Sequence, residues 1–382
     1  MGSAMHHRRD VLRLIGGGAV FAATASLAGC SGVGVSEDAR EPWRKAGKYD
    51  DPRKRALSYA LLAPNPHNRQ PWMVRLEGAD ALTLWVDLAR RLPATDPFDR
   101  QIVIGCGAFL ELLAIAAAEE GYRADIIAFP EGEDMRTLDA RPVARISLVA
   151  GAGQRDPLAA HILARRSNKT VYEPRDIDAD ALASLATAGR AYGVTSAATA
   201  DPTLVARLRD LTWRAHVKEV TTPTANQESV DLMRIGAREV AANPDGIELE
   251  GGMIEFARRV GIVSRETLAD PTSTAFKQGL DLYEKMALSA RAFGWICNAG
   301  RSRSDQIAAG RAYLRMNLEA TRLGLAVHPW SQALQEYPEM AALYAEAHTL
   351  LGGGERVQML YRIGHAEPIG PTPRRGLEAH LV

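Results

Sequence analysis

This chain of 382 residues lacks the features that mark several classes of protein. Lysine plus arginine and aspartate plus glutamate number 46 each, so no basic excess indicates a nucleic-acid partner. Cysteine occurs only three times, and no group of cysteines and histidines has the spacing of metal ligands. We therefore expect no bound metal and no nucleic acid.

Two of the cysteines, Cys106 and Cys297, lie in apolar stretches, where a free cysteine usually behaves as a small buried hydrophobic residue. Two unpaired core thiols are the favoured interpretation. A disulfide between them stays open, because the sequence does not fix their distance.

The N-terminus combines two export motifs. Arg8 and Arg9 precede an apolar run over 14–28, too short to span a membrane, and the run ends in Leu27-Ala28-Gly29-Cys30. The paired arginines are typical of a twin-arginine signal, and the last four residues resemble a lipobox. This predicts a signal peptide over 1–29, an exported periplasmic or cell-envelope protein, and a membrane anchor through lipidated Cys30. The alternative is an apolar anchor with chance arginines.

The rest of the chain has an ordinary globular composition, with 46% apolar and 24% charged residues. Residues 30–50 are rich in glycine, serine and charge, which predicts a tether. About 350 residues follow the signal, enough for two fused halves.

Two apolar helical stretches suggest an internal repeat. One runs over 106–121 and the other over 309–324, and each contains two glycines at the same spacing, Gly107 with Gly121 and Gly310 with Gly324. Residues 73–76 and 82–86 predict a half-buried hairpin, and further strands are predicted at 124–129, 143–149 and 357–364.

We predict an α+β fold with two related halves, 51–160 and 161–382, and a central antiparallel sheet flanked by helices. The alternative is two unrelated alanine-rich helices. Residues 213–303 have no counterpart in the first half and predict an insertion, either a lid or a solvated helical decoration.

Three short motifs carry polar chemistry. The first is a turn that can offer amide groups to a planar ring, and the other two are basic segments suited to phosphate. Each is weak alone: a lone loop histidine such as His67 is usually solvated, and basic turns are usually exposed. The motifs are Pro64-Asn65-Pro66-His67-Asn68-Arg69-Gln70-Pro71-Trp72, Arg165-Arg166-Ser167-Asn168-Lys169 and Thr372-Pro373-Arg374-Arg375.

Together these motifs resemble those of the FMN-dependent nitroreductase superfamily. The first is similar to its Pro-Ser-x-x-Asn-x-Gln-Pro-Trp loop, with Asn65 in place of the serine. Residues 165–169 match its Arg-x-Ser-x-Lys motif, and the segment His328-Pro329-Trp330-Ser331 is similar to the loop beside its flavin. The resemblance covers residues 50–382 and is strongest to a fused, Acg-type branch with two halves in one chain.

The resemblance implies a role for each matching residue. Arg165, Arg374 and Arg375 would neutralise the phosphate of FMN. Ser167 and Lys169 would contact the ribityl chain and the N1–C2 edge of the ring. Asn65 and Asn68 would bind the ring from the other half, and Pro329, Trp330 and Ser331 would lie beside it. No protein nucleophile is implied.

Each half matches only part of the family pattern. The first half has the Asn-Pro-His-Asn loop but reads Arg53-Lys54-Arg55-Ala56-Leu57 where Arg-x-Ser-x-Lys is expected, and the second half lacks the Gln-Pro-Trp loop. We therefore expect a monomeric pseudo-dimer with one complete FMN site and one decayed site.

The implied function is an FMN-dependent oxidoreductase that reduces nitroaromatic, quinone or similar planar acceptors. Two alternatives remain. The chain could hold FMN under a closed lid without catalysis, or it could have lost flavin and bind another ligand as a surface lipoprotein.

Overall fold

The computed structural model describes residues 34–382. The twin-arginine motif, the apolar run and Cys30 lie outside the described residues. Cys106 and Cys297 are buried free thiols, which confirms the favoured interpretation.

The first half contains one four-stranded sheet and a long helix. The strands are antiparallel in the order β1-β2-β4-β3, and the predicted hairpin of β1 and β2 is confirmed. Asp51 caps the second helix by accepting a hydrogen bond from the backbone of Arg53. The elements are α1 (Glu41–Lys45), α2 (Pro52–Ala60), β1 (Trp72–Glu77), β2 (Ala81–Val86), α3 (Arg100–Glu119), β3 (Tyr122–Ala128) and β4 (Ala144–Ala150).

The second half begins with α4 (Ala179–Ala188) and β5 (Thr195–Thr199). A long segment then precedes the remaining strands of its sheet. That segment holds α5 (Pro202–Thr221), α6 (Pro223–Asp231), β6 (Met233–Ile235), α7 (Ala237–Ala242), β7 (Ile247–Leu249), α8 (Gly252–Arg259), α9 (Arg265–Ala269) and α10 (Thr274–Leu288).

The chain then returns to the second sheet, whose strands are antiparallel in the order β5-β8-β10-β9. Ser302 and Asp305 form a capping box at the start of its long helix. The elements are β8 (Ala292–Asn298), α11 (Arg303–Arg322), β9 (Ala326–Pro329), α12 (Ala341–Leu351) and β10 (Arg356–Gly364).

The two sheets have the same topology. In each, the first two strands are followed by the long helix, and the fourth strand lies between the second and the third. The α+β class with antiparallel sheets is therefore confirmed. The expectation of one central sheet is wrong, because each half forms its own four-stranded sheet around its own apolar cluster.

The long helices α3 and α11 contact each other through equivalent residues. A Cβ atom on Gly107 would lie 2.3 Å from the carbonyl oxygen of Ile307, and one on Gly310 would lie 2.0 Å from that of Ile104. The repeated glycines thus allow close backbone approach. Helix α3 is apolar and long enough to cross a membrane, but 83% of its most apolar window is buried inside the protein, as in a core helix.

The insertion lies between β5 and β8, over residues 200–291. The predicted bounds of 213–303 are wrong at both ends. Phe293 and Trp295 fall within the predicted bounds but belong to β8, a strand paired on both sides. An apolar strand inside a sheet and an apolar lid look alike in sequence.

The predicted tether is also partly wrong. Residues 38–45 form a short 3-10 helix and α1, and Ala39, Trp43 and Ala46 are buried. We call residues 34–46 the strap. At the other end of the chain, Leu381 bridges to Val74 at the edge of β1, so the C-terminus crosses to the first half.

Candidate functional site

The loop between α2 and β1 forms the first part of the site. His67, Asn68 and Gln70 have φ angles of 47°, 50° and 48°, in the left-handed region that non-glycine residues rarely adopt. Asn65 stabilises this conformation, since its Oδ1 accepts a hydrogen bond of 2.8 Å from the N–H of Gln70. A strained backbone held by local contacts is a frequent feature of binding sites.

Arg165 and Arg374 meet at this loop. Arg165 is 2% exposed and donates hydrogen bonds to the Leu62 carbonyl at 3.0 Å and to Asn317 Oδ1 at 3.2 Å. Arg374 is 4% exposed and donates to the same carbonyl at 3.3 Å and to Asn68 Oδ1 at 2.6 Å. The early turn and the later basic segments of the sequence therefore converge in space.

Arg166 joins them in what we call the arginine cluster: Arg165, Arg166 and Arg374. Within residues 34–382 none of the three forms an ion pair, and the Nε atoms of Arg165 and Arg166 are buried without a hydrogen-bond partner. Burial lowers the pKa of Arg165 and of Arg166 to about 10. Burial, and then the charge of Arg165, lower the pKa of Arg374 to about 9.

Buried cations without counter-charges are unfavourable, and guanidinium groups bind phosphate through paired hydrogen bonds. The unpartnered Nε groups of Arg165 and Arg166 therefore fit the phosphate group of a ligand. Arg374 adds positive charge, while its own guanidinium donates to protein acceptors such as the Leu61 carbonyl and Asn68 Oδ1.

Ser167 and Lys169 follow the cluster along the chain. Ser167 is half-buried and Lys169 is exposed, and neither forms a hydrogen bond or ion pair within the described part of the chain. Asn168 between them fixes the segment to the second sheet, because its N–H donates to the Val327 carbonyl at 2.9 Å. The backbone of this segment is thus fixed, and both flanking side chains have free donors.

His67 lies near Lys169 and is not simply solvated. Its Nδ1 is buried without a partner, and its Nε2 lies 3.3 Å from Ser229 Oγ in the insertion. Burial, and then the charges of Lys169 and Arg69, lower the pKa of His67 to about 4. The imidazole is therefore neutral at neutral pH.

Residues 329–331 only partly match their implied role. Trp330 is 1% exposed and packs against the insertion, where its Nε1 donates to the Thr212 carbonyl at 3.2 Å. Ser331 Oγ is occupied, since it donates to the Leu360 carbonyl at 3.0 Å. Pro329 is the one of the three that is partly accessible without such an engagement.

Arg375 does not join the arginine cluster. Its Nη2 donates to the Ala379 carbonyl at 2.8 Å, and burial together with the charge of Arg90 lowers its pKa. Arg374 and Arg375 therefore face different surroundings. The resemblance implied that both side chains would bind one phosphate. In the structure their guanidinium groups do not lie together.

Sequence reasoning missed three residues near the site. Arg166 was part of a quoted motif but was given no role, and Trp43 lay in the predicted tether. Arg362 is fully buried in β10, where it donates to His328 Nδ1 at 3.2 Å and to the Thr170 carbonyl at 2.7 Å. A single arginine in an apolar strand gives no sequence signal for such a position.

The insertion covers the loop of the first half. The N–H of Gly246 donates to the Asn68 carbonyl at 3.2 Å, and Gln70 Nε2 donates to the Pro244 carbonyl at 2.8 Å. Asp245 forms ion pairs with Arg90 and Arg234. Burial acts to raise the pKa of Asp245, but these hydrogen bonds outweigh it, and the net shift is downward.

Two surface clefts, of about 660 and 390 Å³, lie away from this loop. The larger is lined by Asp178, Ser184 and Arg322, and the smaller by Asp80, Tyr122 and Ser147. Neither contains a residue of the candidate site.

The equivalent loop of the second half, over 189–194, has a different environment. Tyr192 donates to Glu111 Oε2 at 2.7 Å, and the Arg311 guanidinium lies 3.9 Å from the centre of its ring. Glu111 is 1% exposed and forms ion pairs with Arg311 at 2.7 Å and Arg315 at 2.8 Å. Side chains that neutralise one another therefore fill this position.

No family model matches the chain. A Mycobacterium tuberculosis protein that bears the name of an NAD(P)H nitroreductase is 27% identical over 336 residues, covering 84% of this chain and 88% of that protein. The M. tuberculosis protein acg, also named as an NAD(P)H nitroreductase, is 33% identical over 128 residues, 33% of this chain and 37% of that one.

Solved structures give weaker matches. A Bacteroides fragilis nitroreductase with bound FMN is 15% identical, covers 59% of this chain and 96% of its own, and has a TM-score of 0.34. The FMN-dependent nitroreductase NfnB of Mycobacterium smegmatis, at 18% identity, covers 58% and 96%, with a TM-score of 0.35. Over most of its length the chain is thus similar in sequence to a protein named as a nitroreductase.

Proposed function

We propose that this protein is an FMN-binding oxidoreductase of the nitroreductase type, acting on nitroaromatic, quinone or similar planar acceptors. The observation that carries the proposal is the arginine cluster, three guanidinium groups without carboxylate partners beside a strained loop from the other half. The names of the sequence relatives support the same activity.

In this proposal the arginine cluster holds the phosphate. Arg165 and Arg166 supply buried Nε donors, and Arg374, whose own donors are bonded within the protein, adds positive charge in place of Arg375. Ser167 and Lys169 have free donors for the ribityl chain and the N1–C2 edge of the ring. A cation at that edge favours negative charge on the ring system. When bound, FMN supplies hydride transfer, and the protein binds, orients and shields it.

We further infer that the chain is a fused pseudo-dimer of the Acg type, monomeric and with one FMN per chain. The shared sheet topology and the mutual contact of Gly107 and Gly310 support a duplication. The ion-paired surroundings of Tyr192 support loss of the second site. The moles of FMN per chain, measured on protein purified without added flavin, test this. A value near two would contradict it.

A second candidate is favoured by the closed insertion. Contacts of Pro244, Asp245 and Gly246 with the first half cover the loop that would bind the ring, as expected of a protein that sequesters FMN. Anaerobic addition of reduced nicotinamide and then a nitroaromatic separates the two. Bleaching and recovery of the flavin absorption support the enzyme, whereas an unchanged spectrum with FMN firmly bound supports sequestration.

We also propose export by the twin-arginine route and lipid attachment at Cys30. Nicotinamide donors are cytoplasmic, so an exported enzyme needs a different reductant. Cys30→Ala is expected to release the protein from the membrane fraction and to abolish incorporation of labelled fatty acid. Replacing Arg8 and Arg9 with lysine is expected to retain it in the cytoplasm. Unchanged distribution of both variants would refute this part of the proposal.

A further inference from the structure

The strap, residues 34–46, lies against the arginine cluster. The guanidinium carbon of Arg166 is 4.4 Å from the centre of the Trp43 ring, and that of Arg374 is 5.6 Å from it. Both distances are within the range of a cation–π contact. One indole ring, itself 7% exposed, thus contacts two of the three unpaired cations.

The position of Trp43 is fixed from several directions. Its Nε1 donates to the Thr372 carbonyl at 2.8 Å, and the backbone N–H of Arg374 donates to the Ala39 carbonyl at 2.8 Å. Arg40 donates to the Pro371 carbonyl at 2.7 Å and forms a buried ion pair with Glu250 of the insertion. The strap therefore joins the C-terminal basic segment to the insertion.

An aromatic face differs from a carboxylate in how it affects a neighbouring arginine. A carboxylate would neutralise the guanidinium and accept hydrogen bonds from it, as Glu111 does from Nε of Arg311. The ring attracts the cation through its quadrupole but leaves the N–H groups free. Trp43 thus contacts Arg166 while the buried Nε of that arginine keeps no hydrogen-bond partner within residues 34–382. The donors of Arg374 are already used within the protein, among others by the carbonyls of Leu61, Leu62 and Ala63, so Arg374 contributes its positive charge.

We propose that Trp43 is a positioning residue of the phosphate site, and that the strap is part of that site rather than a tether. It acts by orienting Arg166 toward a phosphate monoester, beside the positive charge of Arg374. This inference rests on the proposed function, because it takes that phosphate to be the one on FMN.

The test compares FMN with riboflavin, which has the same ring and no phosphate, on protein freed of flavin. Dissociation constants are measured by flavin fluorescence for the unaltered protein, Trp43→Phe and Trp43→Leu. Leucine keeps an apolar side chain but removes the ring face. Trp85→Leu is the matched control, since Arg75 lies 4.7 Å from the centre of its ring in the same kind of contact on the first sheet.

We expect Trp43→Leu to reduce the preference for FMN over riboflavin about tenfold, with riboflavin binding little changed. Trp43→Phe retains most of the preference, and Trp85→Leu retains all of it. An unchanged preference in Trp43→Leu, or an equal loss for both ligands, overturns the inference. If the unaltered protein itself binds FMN no better than riboflavin, the phosphate site of the proposed function is refuted, and the inference falls with it.

Discussion

Loops 61–71 and 189–194 occupy the same place in their two halves, because each joins a helix to the first strand of its sheet. Beside the first loop, the arginine cluster has no carboxylate partner within residues 34–382. Beside the second, Glu111 pairs with Arg311 and Arg315, and Tyr192 completes the group. Equivalent positions in the two halves thus differ in charge balance. The first has unpaired positive charge suited to an anionic ligand, and in the second the charges are paired within the protein.

The largest effect on stability is expected at the ion-paired group beside the second loop. Glu111→Ala leaves Arg311 unpaired and Arg315 with Asp156 alone, so the free energy of unfolding should fall by about 2–3 kcal/mol. Urea denaturation measures this. Glu120→Ala, which removes a partly exposed ion pair with Arg55, is the control and should change stability little. If the two variants were equally stable, the ion-paired group around Glu111 would not stabilise the second half as described.

Replacing an arginine of the cluster should weaken FMN binding but should not destabilise the protein without flavin. Arg165→Met should weaken FMN binding by about 1–3 kcal/mol, because a charge-assisted contact is lost. Without flavin its stability should not fall, since an unpaired buried charge is removed. Titration with FMN and thermal unfolding test the two halves of this prediction. Arg375→Ala, outside the cluster, should leave FMN affinity nearly unchanged. Unaltered FMN affinity in Arg165→Met would remove this arginine from the site.

The insertion covers only the first of the two loops, and Asp245 anchors it there. Asp245→Asn should weaken the contacts with Arg90 and Arg234 and speed the release of bound FMN about tenfold. Stopped-flow or dialysis with excess apoflavodoxin as a trap measures the rate. Asp125→Asn, which removes an exposed ion pair with Arg123, serves as control. A release rate equal to that of the unaltered protein would show that Asp245 does not retain the insertion.

The smallest effect concerns pH. The pKa of His67 is lowered to about 4 by burial and nearby cations, whereas an unfolded chain has a histidine pKa of about 6.5. The unfolded state therefore binds the proton first, and the contribution of His67 to stability is lost as pH falls from about 6.5 to 4. His67→Gln should make the decline of stability over this range shallower. An identical slope in both proteins would contradict burial of the neutral imidazole.

The sequence predicted the local elements well. The hairpin of β1 and β2, the two long helices and the strands β3, β4 and β10 follow from apolar periodicity and glycine ends, which are local signals. It missed β8, because an apolar strand paired on both sides gives the same pattern as a buried lid segment. It also missed the fold of the strap, because the segment is polar overall and its buried Trp43 gives no local signal.

The candidate site was only partly predictable. The loop that contains Asn65 and Asn68 does meet Arg165 and Arg374, as their motifs predicted. Arg375 does not join them, since consecutive side chains outside a helix point in different directions. The loss of accessible surface at Trp330 depends on α5 and α10 of the insertion, whose packing no motif encodes.

The sequence by itself determined the chemical types at the site, its likeness to the nitroreductase superfamily and the repeat of the long helix, because composition, motif and periodicity are properties of short segments. Only the tertiary structure decided which arginines stay unpaired, which loop the insertion covers and that Trp43 lies between two guanidinium groups. Those outcomes depend on contacts between residues far apart in the chain, and burial sets the energetic weight of each charge.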